Sequence, residues 1–184
     1  KLNMSSSKFD IVVYGATGFT GQLVAEYLAA AYGGDANLKW AMAGRSKHKL
    51  ASVRDAVGAP ADTPLIVADS SDIASLKAMV AQARCVISTV GPYQFYGNEL
   101  LAACVASGTD YFDLCGEPLW MREMIVKHEA AAKASGARIV FSCGFDSVPF
   151  ELGALFVQEE AKRVFGAPAS RVKGRVRDMR GTLS

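Results

Sequence analysis

Apolar positions along the chain fall into short β-branched runs, each followed by a longer stretch with helical spacing. The first run, "IVVYG" at residues 11–15, precedes a helix over residues 19–31 that ends near Gly33 and Gly34. Residues 38–44 ("LKWAMAG") read as a second strand. Ser46 then caps a helix carrying Leu50, Val53 and Val57 on one face, and Gly58 closes it. Residues 64–69 form a third strand, after which Ser71 or Asp72 caps a helix that turns Ile73, Leu76 and Val80 inward. A fourth strand over 85–91 leads to a helix over 99–107 ending at Gly108. Strands at 110–116 and 137–144 flank a helix from Pro118 to Ser135, and another helix runs from Phe150 to Phe165.

Strands with nearly continuous apolar character are buried on both faces, as in a parallel sheet covered by helices. Six strand–helix units in this order predict an α/β fold with a doubly wound, mostly parallel sheet. That domain is assigned to residues 9–166, and residues 167–184 to the start of a second, largely missing substrate domain. Within the latter, "RVKGRVRDMR" (171–180) alternates like a strand without a partner, and the end at Ser184 reads as a cut. Lys1, Leu2 and Asn3 ahead of Met4 read as an appended sequence.

Composition narrows the class. The 184 residues are 51% hydrophobic and 21% charged, a profile of soluble globular domains. No apolar run reaches the roughly 18–20 residues of a membrane span, and "KLNMSSSK" lacks the apolar core of a signal peptide. Cys85, Cys104, Cys115 and Cys143 form no CxxC pair, and His48 and His128 stand apart, so no metal site is expected. Such cysteines are expected as reduced thiols in the cytoplasm. The net charge of +2 is unevenly divided. From Ala161 onward seven basic residues face one acid, a net +6, leaving −4 for the preceding chain. No aromatic residue interleaves with the basic ones of residues 171–180, which argues against nucleic acid and for a strand face covered by missing protein.

Chemistry concentrates in "GATGFTG". Gly15 permits the tight turn out of the first strand, Gly18 bares the backbone for a pyrophosphate, and Gly21 lets the helix approach the sheet. Phe19 and the free N–H groups of the helix start complete that loop. Thr17 and Thr20 offer hydroxyls that either reach phosphate oxygens or cap the helix. The spacing is GxxGxxG, and its place between strand and helix gives it meaning. NAD sites carry an acid at the end of the second strand, but this chain has none between Leu38 and Arg54. Arg45, with Ser46 beside it, instead suits a 2′-phosphate, so NADP(H) is expected over NAD(H). Asp69 is placed near the adenine, and Thr89, Val90, Gly91 and Pro92 border the inner half of the cofactor. Tyr93 and Tyr96 either cover the nicotinamide and donate a proton or sit as amphipathic residues at a domain seam. No tyrosine has lysine at i+4, which disfavours a short-chain dehydrogenase. Cys143 has no convincing histidine partner, so no catalytic residue is assigned.

The motifs "GATGFTG", "AGRS", "GPYQFYG", "DYFDLCGE" and "SCGFDSVPFELG", taken in order, resemble the saccharopine dehydrogenase-like oxidoreductases. Within that group the likeness is to the bacterial branch containing trans-acting enoyl reductases. The resemblance implies an N-terminal Rossmann domain binding NAD(P)H, and a second domain that binds a small-molecule or acyl substrate and forms a homodimer. It also implies hydride transfer from NADPH to a C=C, C=N or C=O bond, with this chain alone binding cofactor but turning over poorly. Asp113, Glu117 and residues 144–147 are implied near the domain junction, with capping by Asp146 or Ser147 as the alternative. A non-catalytic NADP(H)-sensing Rossmann protein is the rival reading from another class.

Overall fold

A computed structural model describes residues 7–178. The first half of the sheet comprises β1 (Phe9–Tyr14), α1 (Phe19–Tyr32), β2 (Trp40–Gly44), α2 (Lys47–Ala56) and β3 (Leu65–Val67). α3 (Ile73–Val80) then crosses to β4 (Ala83–Ser88), followed by α4 (Tyr93–Tyr96) and α5 (Asn98–Ser107). β5 (Asp110–Asp113), α6 (Pro118–Ser135) and β6 (Ile139–Val140) complete it. Every pairing is parallel and the order is β3-β2-β1-β4-β5-β6. Strand order therefore reverses between β1 and β4, which leaves a crevice at their carboxyl ends.

Alternate residues of β1 serve opposite faces of the sheet. Val12 and Tyr14 join Leu76, Met79, Leu100, Leu101 and Trp120 from α3, α5 and α6. Val13 joins Ala25 and Leu28 of α1, Met42 of β2 and Leu50 of α2. Each fully buried aliphatic side chain of this kind contributes roughly 1.5–3 kcal/mol.

The turn from β1 into α1 is set by close approach. Gly15 has φ +88°, and a Cβ there would lie 2.6 Å from Thr89 Oγ1 and 2.7 Å from Val90 Cγ2. A Cβ on Gly21 would overlap the Gly15 carbonyl oxygen outright and lie 2.8 Å from Ala16 Cα. Gly18 differs: its nearest neighbour would be the Gly15 oxygen at 3.4 Å, and its own φ of −78° suits any residue.

Several elements are shorter than their apolar runs. β3 covers only Leu65–Val67 of the expected 64–69, and β5 stops at Asp113 instead of running to 116. β4 starts earlier, at Ala83, because Arg84 points outward and lies 3.8 Å from Asp10. β6 keeps two residues of the expected 137–144, since it pairs on one edge only and Ser142 turns into the left-handed region at φ 59°. Ile73, expected inward, is 46% exposed at the first position of α3, where Leu76, Met79 and Val80 provide the buried face.

The end of β5 is tied to the chain after β6 by one carboxylate. Asp113 is buried, and its Oδ1 accepts from Cys115 N (3.0 Å) and Ser142 N (2.9 Å), while Oδ2 accepts from the Tyr111 hydroxyl (2.9 Å). Ser142 Oγ in turn donates to the Cys115 carbonyl at 2.7 Å.

Residues through Cys143 form one compact unit, and those from Gly144 another. The second unit contains α7 (Val148–Phe165), closed by Gly166 at φ 75°. Gln158 holds the stretch after it, donating to the Ala169 carbonyl (3.0 Å) and accepting from its N–H (2.7 Å). Neither Ser147 nor any other side chain caps α7. Residues 171–178 have no regular structure, so the strand expected over 171–180 does not form among the described residues. Met179 and Arg180, like Lys1, Leu2 and Asn3 and the end at Ser184, lie outside the described residues.

Two expectations follow. Gly21→Ala should lower unfolding stability by roughly 1–3 kcal/mol through overpacking against backbone. Gly18→Ala should stay within about 1 kcal/mol; urea denaturation of both variants checks the ranking. Burial raises the Asp113 carboxyl above its ordinary 3.8, despite bonds from Cys115, Ser142 and Tyr111 that lower it. The folded state then holds that proton more tightly than the unfolded chain. Its contribution to stability is complete below about pH 4 and is lost as pH rises through the folded value. Asp113→Asn should remove this slope in stability measured against pH. Asp113→Ala should cost roughly 3 kcal/mol or more by leaving three donors without an acceptor.

Candidate functional site

At the carboxyl ends of β1, β2 and β4 lies a cleft of about 260 Å3. Of the residues singled out in the sequence, it is lined by Gly15, Thr17, Gly18, Arg45, Thr89, Val90, Gly91 and Tyr96. Three more complete it: Tyr14, Gly44 and Ser70. Tyr14 and Gly44 end β1 and β2, and Ser70 follows β3. The rule that places ligands beyond strand carboxyl ends could have found all three.

The start of α1 supplies the donors. The first N–H groups of a helix have no intrahelical acceptor, and no side chain caps α1. Neither Thr17 nor Thr20 therefore takes the capping role. α2 and α3 differ, because Ser46 accepts from Lys49 N and Asp72 from Ala74 N and Ser75 N. The first turn of α1 also contains no acid to oppose an anion. The cradle fits a pyrophosphate: internal packing demands glycine at 15 and 21, whereas at 18 only something outside the chain would feel a Cβ.

Arg45 follows β2 directly, is exposed, and makes no ion pair among the described residues. Its guanidinium is the group in this cleft suited to a 2′-phosphate. Ser46 caps α2 with its hydroxyl (3.3 Å to Lys49 N) and stands outside the cleft lining. Asp69 also lies outside that lining. Its Oδ1 accepts from Ser71 N (2.9 Å) and Ser71 Oγ (2.8 Å), and those bonds lower its pKa. Burial first, then the nearby charge of Asp69, push the Tyr14 phenol up to about 12.

Thr89 Oγ1 lies 3.1 Å from the Tyr14 carbonyl and 3.2 Å from that of Gly15, and donates there, joining the two sides of the switch point. Pro92 is the N-cap position of α4 and stands outside the cleft lining, and the first two N–H groups of α4 are held by Glu117: Tyr93 N donates to Oε1 (2.6 Å) and Gln94 N to Oε2 (2.9 Å). Tyr93 is buried, its hydroxyl donates to the Ser88 carbonyl (3.0 Å), and burial pushes its pKa well up. It is a packing residue. Tyr96 remains partly exposed at the cleft. Phe19 is 82% exposed, Thr20 is half-buried, and Gly21 packs against the turn. Cys143 is exposed, and burial with the charge of Asp113 raises its pKa, the opposite of an activated thiol. Among the described residues no group of His, Cys, Asp or Glu could hold a metal ion.

Comparison with known proteins agrees with this geometry. The family model for the saccharopine dehydrogenase NADP binding domain matches residues 11–140. A protein of Mycobacterium tuberculosis, provisionally named a trans-acting enoyl reductase, is 48% identical over 178 residues, covering 96% of this chain and 42% of its own. The trans-acting enoyl reductase of Mycobacterium leprae is 51% identical over 146 residues, 79% of this chain and 34% of its own. Among solved structures, apo saccharopine dehydrogenase (L-Glu forming) from Saccharomyces cerevisiae superposes with a TM-score of 0.68 at 20% identity. That likeness covers 85% of this chain and 32% of the yeast enzyme, and concerns the fold. The chain thus spans less than half the length of these relatives. With the phosphate cradle, the missing ribose acid and the matched residues 11–140 in agreement, the chain belongs to the saccharopine dehydrogenase NADP-binding domain family.

Proposed function

We propose that this chain is the NADP(H)-binding portion of an oxidoreductase that reduces a C=C, C=N or C=O bond of an organic or acyl substrate. Bound NADPH supplies the hydride. The observation that carries the reading is Gly18, a glycine the fold does not require, at the uncapped start of α1. Gly15, Thr17, Gly18, Phe19, Thr20 and Gly21 receive the pyrophosphate. Arg45, with Ser46, takes the 2′-phosphate, Asp69 flanks the adenine side, and Thr89, Val90, Gly91 and Pro92 flank the nicotinamide side. The names of the mycobacterial relatives support an enoyl substrate.

Residues 9–166 form the cofactor domain in this proposal, and 167–184 open a substrate and dimerisation domain, with a homodimer as the working assembly. The greater length of the relatives supports this, as do the exposed Phe150, Leu155, Phe156 and Phe165 of α7, which ask for a covering partner. Free thiols at Cys85, Cys104 and Cys143 support a cytoplasmic location.

Titration of the purified chain with each coenzyme tests the reading. NADPH should bind more tightly than NADH. Arg45→Ala should weaken NADPH by roughly ten- to a hundredfold, the loss of a charge-assisted bond worth about 1.5–3 kcal/mol, while NADH changes by less than about twofold. Equal losses for both coenzymes would reduce Arg45 to a structural role, and absence of NADPH binding at millimolar concentration would end the proposal.

A further inference from the structure

A second cavity, of about 490 Å3, opens along α6 where that helix faces α5 and the edge strand β6. It shares no lining residue with the cleft at the switch point. Its size lies within the roughly 300–1,000 Å3 of small-molecule sites. Leu101, Met124, Ile125, Ala132, Ile139 and Phe141 supply an apolar wall.

His128 lies in that wall. Its Nε2 is buried and has no hydrogen-bond partner among the described residues. Buried polar atoms in folded proteins nearly always have a partner, so an orphan lining a cavity asks for one from outside the chain. Water would answer the nitrogen but gain nothing from the apolar wall around it.

Charge defines the ligand further. Glu129 and Lys133 also line the cavity, but they satisfy each other, with Lys133 Nζ donating to Glu129 Oε1 at 2.7 Å. Burial, and then the neighbouring charge of Lys127, lower the pKa of His128 and favour the neutral imidazole. The cavity therefore offers the Nε2 of the His128 imidazole and an apolar surface, with no unpaired side-chain charge among its lining residues for an ionic head group. A hydroxyl satisfies either tautomer of that nitrogen, because it both donates and accepts.

We propose that the cavity beneath α6 binds a neutral amphiphile, with its aliphatic or ring body against Leu101, Met124, Ile139 and Phe141 and its single hydroxyl on His128 Nε2. The site is separate from coenzyme binding and does not depend on the activity proposed above.

The test uses 1-octanol as probe and the histidine side-chain NMR signals of the labelled 184-residue chain as readout. The His128 imidazole signals should shift saturably, and those of His48 should stay still. His128→Leu keeps the apolar wall and should weaken octanol about five-fold, the loss of one neutral hydrogen bond. Ala132→Trp fills the cavity and should abolish octanol binding while NADPH affinity stays within about twofold, which certifies that the variant is folded. Shifts that grow without saturation, a His128→Leu variant that binds as tightly as the parent, or competition between octanol and NADPH would each overturn the proposal.

Discussion

The Gly15 carbonyl and the Cα of Gly21 occupy neighbouring space that no side chain can enter. This contact brings the first turn of α1 onto the carboxyl end of β1. Without it the helix would stand off the sheet, and its free N–H groups would no longer face the switch point. The remaining geometry follows from there. Gly15 turns at positive φ where a Cβ would meet Thr89 and Val90 just after β4, and Thr89 donates to the carbonyls of Tyr14 and Gly15. The two parallel strands at which the strand order reverses are thereby tied at the point where a ligand would lie.

Electrostatics at that point lean one way. The uncapped end of α1 carries partial positive charge, Arg45 adds a full one, and the first turn has no acid. Asp69, the nearby carboxylate, is already engaged by Ser71. The polar groups that define the far wall are equally committed. Glu117 uses both oxygens on the backbone of Tyr93 and Gln94, and so fixes the loop from Gly91 to Tyr96 without needing a ligand present. A preorganised wall of this kind reduces the ordering cost that binding would otherwise carry.

The sequence announced the parts whose signals are local. Pro118 and Gly136 bracket α6, Ser46 and Gly58 bracket α2, and the periodic apolar residues between them give the helices to within a residue or two. Strand ends were harder. An apolar run does not say where pairing stops, so β6 shrank to Ile139–Val140 once Ser142 was claimed by Asp113, a residue 29 positions away. The packing roles of the glycines at 15 and 21 were legible from their spacing together with their place between a strand and a helix. The burial of Tyr93 was not, because it depends on contacts made only after the sheet assembles. Exposure of Ile73 is a similar case, since helical periodicity fixes a face but not how far the neighbouring strand reaches.

The fates of the phenols and carboxyls near the strand ends bear on how a reduction could be completed. A proton donor must present its hydrogen to a substrate atom. Tyr93 gives its own to the Ser88 carbonyl, and Tyr111 gives its own to Asp113. The Asp113 carboxylate is filled by three donors, and Glu117 by two. Tyr14 is buried, and its raised pKa reflects burial and the field of Asp69, not a neighbouring base. Tyr93, Tyr111, Asp113 and Glu117 spend their hydrogen-bonding capacity on holding the chain around the ends of β4 and β5. In the reduction proposed above, substrate choice and proton delivery would therefore fall to groups outside this network.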